Sequence, residues 1–132
     1  MEKIIKLAAK TNAYGLKGRG QFKHVLKNKN CGDEIKIEFD LNEQKLMNFR
    51  YEGEACVYCQ ASASLLSKNL SKLTLEKLKE LKNQIYDYFS NDKQNQTLVI
   101  FDFKHLLKKE NNSRKECIAL PINAILDTPK IK

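Results

Sequence analysis

The stretch Glu34–Leu66, EIKIEFDLNEQKLMNFRYEGEACVYCQASASLL, carries two periodicities end to end. Glu34 to Phe39 alternates Ile35, Ile37 and Phe39 with charged neighbours, the two-residue period of a half-buried strand. After a turn near Asn42-Glu43, Met47, Phe49 and Tyr51 alternate in the same way, so the two segments read as an antiparallel pair. From Cys56 the pattern changes. Residues 57–70, VYCQASASLLSKNL, are small and apolar with helical spacing.

Working outward, residues 2–10 suit a short helix, and 11–20 (TNAYGLKGRG) hold three of the five glycines and read as a loop. Gln21 to Lys27 suits a further strand. Downstream, Thr74 can cap a second helix with an apolar stripe of Leu75, Leu78, Ile85, Tyr88 and Phe89. A polar break at 91–96 precedes an apolar segment, 98–107. Residues 110–116 read as a charged loop and 118–126 (IALPINAIL) as a last helix, with Pro121 expected in its first turn. Strands first and helices after predict an α+β fold, a small antiparallel sheet of about three strands with helices packed on one face. No repeat, Pro/Gly-rich linker or composition break interrupts residues 1–132, which read as one domain.

The net charge of +8 raises a nucleic-acid partner, but only Arg19, Arg50 and Arg114 of the 24 basic residues are arginine. Base and phosphate reading favours arginine forks clustered on one surface, and here lysine is spread along the whole chain. Neither a nucleic acid nor a membrane is expected as a partner. No run approaches the roughly 20 apolar residues of a membrane span. The start, MEKIIKLAAKTNAYG, is too charged for a signal peptide, so a cytoplasmic location is expected.

Cysteine carries more information. Four thiols in such a setting do not suggest a disulfide framework, which leaves packing, metal ligation or thiolate chemistry. Cys31 ends the loop before the first firm strand. Cys56 and Cys117 stand before helices, where unpaired N–H groups and the macrodipole favour thiolates. Gly32 clears space beside Cys31, and Asp33 can aim its carboxylate the same way as Cys31 on extended backbone. Cys31, Asp33, Cys56 and Cys117 together make a tetrahedral zinc site or an anchor for iron; otherwise these are three unrelated cysteines.

Three ordered blocks carry a resemblance. Cys31-Gly32-Asp33 followed by alternating strands is similar to the CGD motif of the IscU/SufU/NifU N-terminal family of iron–sulfur cluster assembly proteins. Gly53-Glu54-Ala55-Cys56 running into Ala61-Ser62-Ala63-Ser64 resembles that family's second block, and Arg114-x-x-Cys117-x-x-Leu120 with Ala124-Ile125 its third. The likeness runs from about residue 28 to 126. The interval of 61 residues from Cys56 to Cys117, the lack of histidine before Cys117 and the lack of a Leu-Pro-Pro-Val-Lys sequence upstream resemble the SufU branch. The chain departs from the pattern at Ala55, where glycine is usual, and at Glu116, where lysine is expected.

The resemblance implies a zinc-bearing sulfur acceptor, a sulfurtransferase in effect, with Cys31, Asp33, Cys56 and Cys117 as ligands. Cys31 would take persulfide sulfur from a pyridoxal-phosphate cysteine desulfurase and pass it to downstream cluster assembly or acceptor proteins. The alternative is a scaffold holding iron or a transient [2Fe–2S] cluster. A third reading, purely structural zinc in a binding module, suits an aspartate ligand poorly. Cys59 shares a helix face with Cys56 and reads as a small buried residue rather than a spare ligand or resolving thiol. His105 reads as core or surface, and His24 has no supporting neighbour. Arg114 can offset the roughly −2 charge of three thiolates, a carboxylate and a divalent metal, or sit in a solvated loop.

Overall fold

In the computed structural model, which describes residues 2–9, 11–29, 32–91 and 97–129, the alternating stretch becomes a hairpin. Strands β1 (Phe22–Lys27), β2 (Glu34–Asn42) and β3 (Lys45–Glu52) form an antiparallel sheet in the order β1-β2-β3. Ile35, Ile37 and Phe39 of β2 point inward and are essentially inaccessible. Asn42 pairs with Lys45, so Glu43 and Gln44 alone make the turn, at φ 51° and 74°. That left-handed backbone matches the twist of the strands it joins, although neither residue is the glycine or asparagine such turns prefer.

The alternation expected in β3 breaks halfway. The register slips between Glu38 and Asp40, and Asn48 sits at φ 54°, the mark of a bulge. The extra residue flips the faces beyond it, so Leu46 is buried and Met47 exposed, while Phe49 and Tyr51 stay in the core.

Helix α1 (Glu2–Leu7) lies against α2 (Val57–Lys68), which ends at Asn69 before a 3₁₀ turn, Leu70–Lys72. In α3 (Leu75–Asn91) the Thr74 hydroxyl accepts a hydrogen bond from the Lys77 N–H at 3.1 Å, the expected cap. Leu75, Leu78, Leu81, Ile85 and Tyr88 bury its stripe. Residues 92–96 of the polar break lie outside the described residues. The apolar segment after them folds as a 3₁₀ turn, Phe101–His105.

The charged segment is not a loop: it forms a 3₁₀ turn, Lys109–Arg114, that runs straight into α4 (Lys115–Leu126). The last helix therefore begins three residues earlier than the sequence suggests. Pro121 falls in its interior rather than its first turn. Helices α2 and α4 pack on each other and on one face of the sheet, and α3 packs on α4, an α+β fold. The segment before β1 lies over the other side of Glu38, whose carboxylate accepts the Lys17 and Gly18 backbone N–H groups at 3.3 and 2.9 Å. Those bonds satisfy a charged residue only 2% exposed. Among the described residues no helix is long and apolar enough to cross a membrane.

Candidate metal centre

Three chain crossings build the site. The first is the entry to β2: the Asn28 N–H donates to the Asp33 carbonyl at 2.7 Å and the Gly32 N–H to the Asn28 carbonyl at 2.8 Å. Gly32 has φ 78°, the left-handed region that the absent side chain makes cheap. The second is the turn from β3 into α2. The Glu34 N–H donates to the Glu54 carbonyl at 2.9 Å, and Gly53, at φ 141°, passes so close that a Cβ there would strike the Glu34 carbonyl oxygen. Glycine at 53 thus lets the turn lie flat on the start of β2 and delivers Cys56 beside Asp33. The third is the first turn of α4, which delivers Cys117.

The ligand atoms of Asp33, Cys56 and Cys117 all lie within 4.8 Å of one another. Tetrahedral zinc with sulfur at about 2.3 Å sets its sulfurs about 3.8 Å apart, so little contraction is needed. Asp33 is 7% exposed, and its Oδ2 is buried with no hydrogen-bond partner. A desolvated carboxylate oxygen without a partner is costly, and a cation would satisfy it. The donor set fits a borderline-soft divalent metal. Cys31, named from the sequence as the fourth ligand, lies outside the described residues.

The thiols are not placed quite as expected. Cys56 is the N-cap residue of α2 and half-buried, but burial pushes its thiol above the usual range. The Cys59 amide and the Cys117 thiol pull it back, while the Asp33 carboxylate adds to the rise by accepting from the thiol. The helix start does not by itself make Cys56 a thiolate; burial wins, and a bound cation would reverse the balance. Cys117 is not ahead of its helix but within the first turn, 2% exposed.

Asn28 is a neighbour the sequence did not reveal. Its Nδ2 donates to the Cys117 sulfur at 3.9 Å. It sits in the run Lys-Asn-Lys-Asn (27–30), where asparagine looks like background composition; only its place three residues before Cys31 sets it apart. Arg114 lies with its guanidinium 5.6 Å from the centre of the Tyr58 ring, a cation–π distance, flanking the two helix starts. Glu116 turns away toward α3: Tyr86 Oη donates to its Oε2 at 3.1 Å, and Asn123 Nδ2 donates to Tyr86 Oη at 3.3 Å. Cys59 is fully buried in the core and stands outside the ligand cluster. His105 pairs at 3.9 Å with Asp102, far from any ligand role, and burial lowers its pKa. His24 lies on the edge strand β1.

A family model described as the NifU-like N-terminal domain matches residues 3–97. The chain belongs to the NifU-like N-terminal domain family. The family is one of iron–sulfur cluster assembly, and its match ends 20 residues short of Cys117, which the fold alone brings to Asp33 and Cys56. Among solved structures, a nitrogen-fixing NifU-like protein (N-terminal) from Brucella abortus is similar over 96% of this chain and 89% of its own, with TM-score 0.84 and 19% identity. A putative iron–sulfur cluster assembly scaffold protein for the SUF system from Fervidobacterium islandicum AW-1 is similar over 97% of this chain and 94% of its own, with TM-score 0.77 and 21% identity. At such identities the likeness speaks for the fold. No curated protein sequence matches the chain.

Proposed function

We propose that this family member is a SufU-like sulfur acceptor that holds one zinc ion with Cys31, Asp33, Cys56 and Cys117. The observation that supports it is the cluster of one carboxylate and two sulfurs within 4.8 Å, in which a buried carboxylate oxygen has no other partner. A hard oxygen among soft donors suits a site that must open, since it can leave zinc without dissolving the thiolate anchors. In this reading Cys56 and Cys117, fixed at helix starts, stay as anchors, and Cys31 receives sulfur. Its thiolate attacks the outer sulfur of a persulfide on a pyridoxal-phosphate cysteine desulfurase. The desulfurase S–S bond breaks, and that enzyme's cysteine leaves as a thiolate, so no outside oxidant is consumed. Bound zinc would keep the thiols deprotonated until transfer.

The test combines metal analysis with desulfurase turnover. Zinc should be lost in Cys56→Ser and Cys117→Ser and kept in Cys59→Ser. The zinc form should stimulate turnover, Cys31→Ser should abolish the stimulation, and label should appear first on Cys31. Chelation should lower the melting temperature, because metal binding free energy here is partly folding free energy. Unchanged turnover, together with a coloured cluster built and donated in the presence of iron and sulfide, would replace the acceptor with the scaffold reading.

A further inference from the structure

At the opposite end of α2 from Cys56 the fold forms an open cavity of about 850 Å³, within the range of small-molecule sites. Twelve residues of helix put it about 18 Å from the thiols, so it is no part of the metal centre. Its wall carries four cations, Lys17, Arg19, Arg50 and Lys68, against two carboxylates, Glu38 and Asp40. The carboxylates are already served by donors. Glu38 takes the Lys17 and Gly18 amides, and Asp40 takes the Gln21 N–H at 2.7 Å and the Asn48 side-chain amide at 2.8 Å. The charge of the cations is not offset in this way: among the described residues none of the four is in an ion pair.

Arg50 is the fixed element. Its Nε donates to the Gly15 carbonyl at 2.6 Å and one terminal nitrogen, Nη2, to the Tyr14 carbonyl at 3.3 Å. Both bonds hold the guanidinium plane against the loop, and among the described residues Nη1 keeps its protons for something else. Two features shape the space around it. The bulge at Asn48 turns that residue's amide onto Asp40. Gly20 approaches β2 so closely that a Cβ would come within 2.7 Å of Glu38 and 2.9 Å of the Phe39 nitrogen.

We propose that this cavity binds a small organic phosphate. A preorganised guanidinium with lysines and a second arginine beside it matches a phosphoryl group in shape and charge. The formal excess of two positive charges matches the dianion of a phosphate monoester. The site would act independently of the metal centre.

Calorimetric titration of the metal-loaded full chain with glycerol 3-phosphate, glycerol and inorganic phosphate, at low ionic strength, tests this. Glycerol 3-phosphate should bind and glycerol should not. Equal affinity for inorganic phosphate would keep the site and name the phosphoryl group as all that it reads. Arg19→Glu with Lys68→Glu, both exposed, should weaken binding at least about tenfold, leaving metal content unchanged. Lys72→Glu with Lys79→Glu, the same charge change outside the cavity, should not. In the unaltered protein, glycerol 3-phosphate should shield Lys17 and Lys68 from amine acylation while Lys72 and Lys79 react as before. No binding at millimolar phosphate, equal weakening in both double variants, or no selective shielding would overturn the proposal.

Discussion

The two ends of α2 gather side chains of opposite chemistry. At its N-terminus Cys56, Asp33 and Cys117 crowd soft donors and one carboxylate into a nearly closed corner. At its C-terminus Ser67 and Lys68 open onto a wide cavity whose wall carries four cations and two carboxylates. Each end depends on a glycine that lets two backbones touch: Gly53 against Glu34, and Gly20 against Glu38 and Phe39. The difference is one of tolerance. The first end needs donor atoms set to tenths of an ångström, whereas the second needs only charge gathered in one place.

The sharpest way to break this contrast is Gly53→Ala. Its φ of 141° and the collision with the Glu34 carbonyl leave the new side chain nowhere to go. A loss of about 3 kcal/mol, roughly 10 °C in melting temperature, should come with failure to hold metal, because the turn carrying Cys56 must lift. Thermal melting beside metal analysis reads both. Gly20→Ala should cost about 1–2 kcal/mol, since the crowding there is partly with the Glu38 side chain. Metal content should stay at the wild-type level; a loss would mean that the two ends are one unit.

Asn28→Ala probes the metal end alone. Removing a donor to the Cys117 sulfur should weaken metal affinity about tenfold, as loss of a group that orients a ligand commonly does. Competition with a chelator measures it, and the metal-free protein should melt as before. The smallest effect belongs to Asp40→Asn at the cavity end. Hydrogen bonds from the Asn48 side chain and the Gln21 N–H hold the Asp40 pKa below its ordinary value, against a smaller opposing push from burial. A lowered folded pKa gives stability that is present above the ordinary carboxylate range and lost as pH falls through the folded value. The variant should therefore be slightly less stable than the wild type at neutral pH, with the difference closing as pH falls below about 4.

That Asp33, Cys56 and Cys117 would meet was legible in the sequence, although Cys31 lies outside the described residues, and the cavity end was not legible. Asp33, Cys56 and Cys117 stand in short contiguous motifs, and a strand period of two followed by a helical period places them at element ends. The cavity draws two or more residues each from the loop before β1, from β2, β3 and α2, and no local pattern links Lys17 or Arg19 to Arg50. The bulge escaped notice because Asn48 lies in a run whose alternation looks intact. The start of α4 was misplaced because 110–116 is polar and charged, and polarity says nothing about whether a segment continues into a helix. Asn28 was hidden by the abundance of its own residue type.

Pro121 leaves α4 one backbone hydrogen bond short near its start. A proline has no N–H to offer the carbonyl four residues earlier, which is that of Cys117, so the helical ladder lacks a rung directly behind the sulfur. One residue on, the Ser62 hydroxyl of α2 donates to the Ile118 carbonyl at 2.7 Å. Downstream, Ile122, Ala124 and Ile125 are locked in the core with no exposure. Ile118 and Ala119 are equally inaccessible, so the start of the helix is held by the core and, sideways, by α2. The Cys117 thiol rides on that start, so a movement of α2, which begins beside Cys56, would shift two of the candidate donors together.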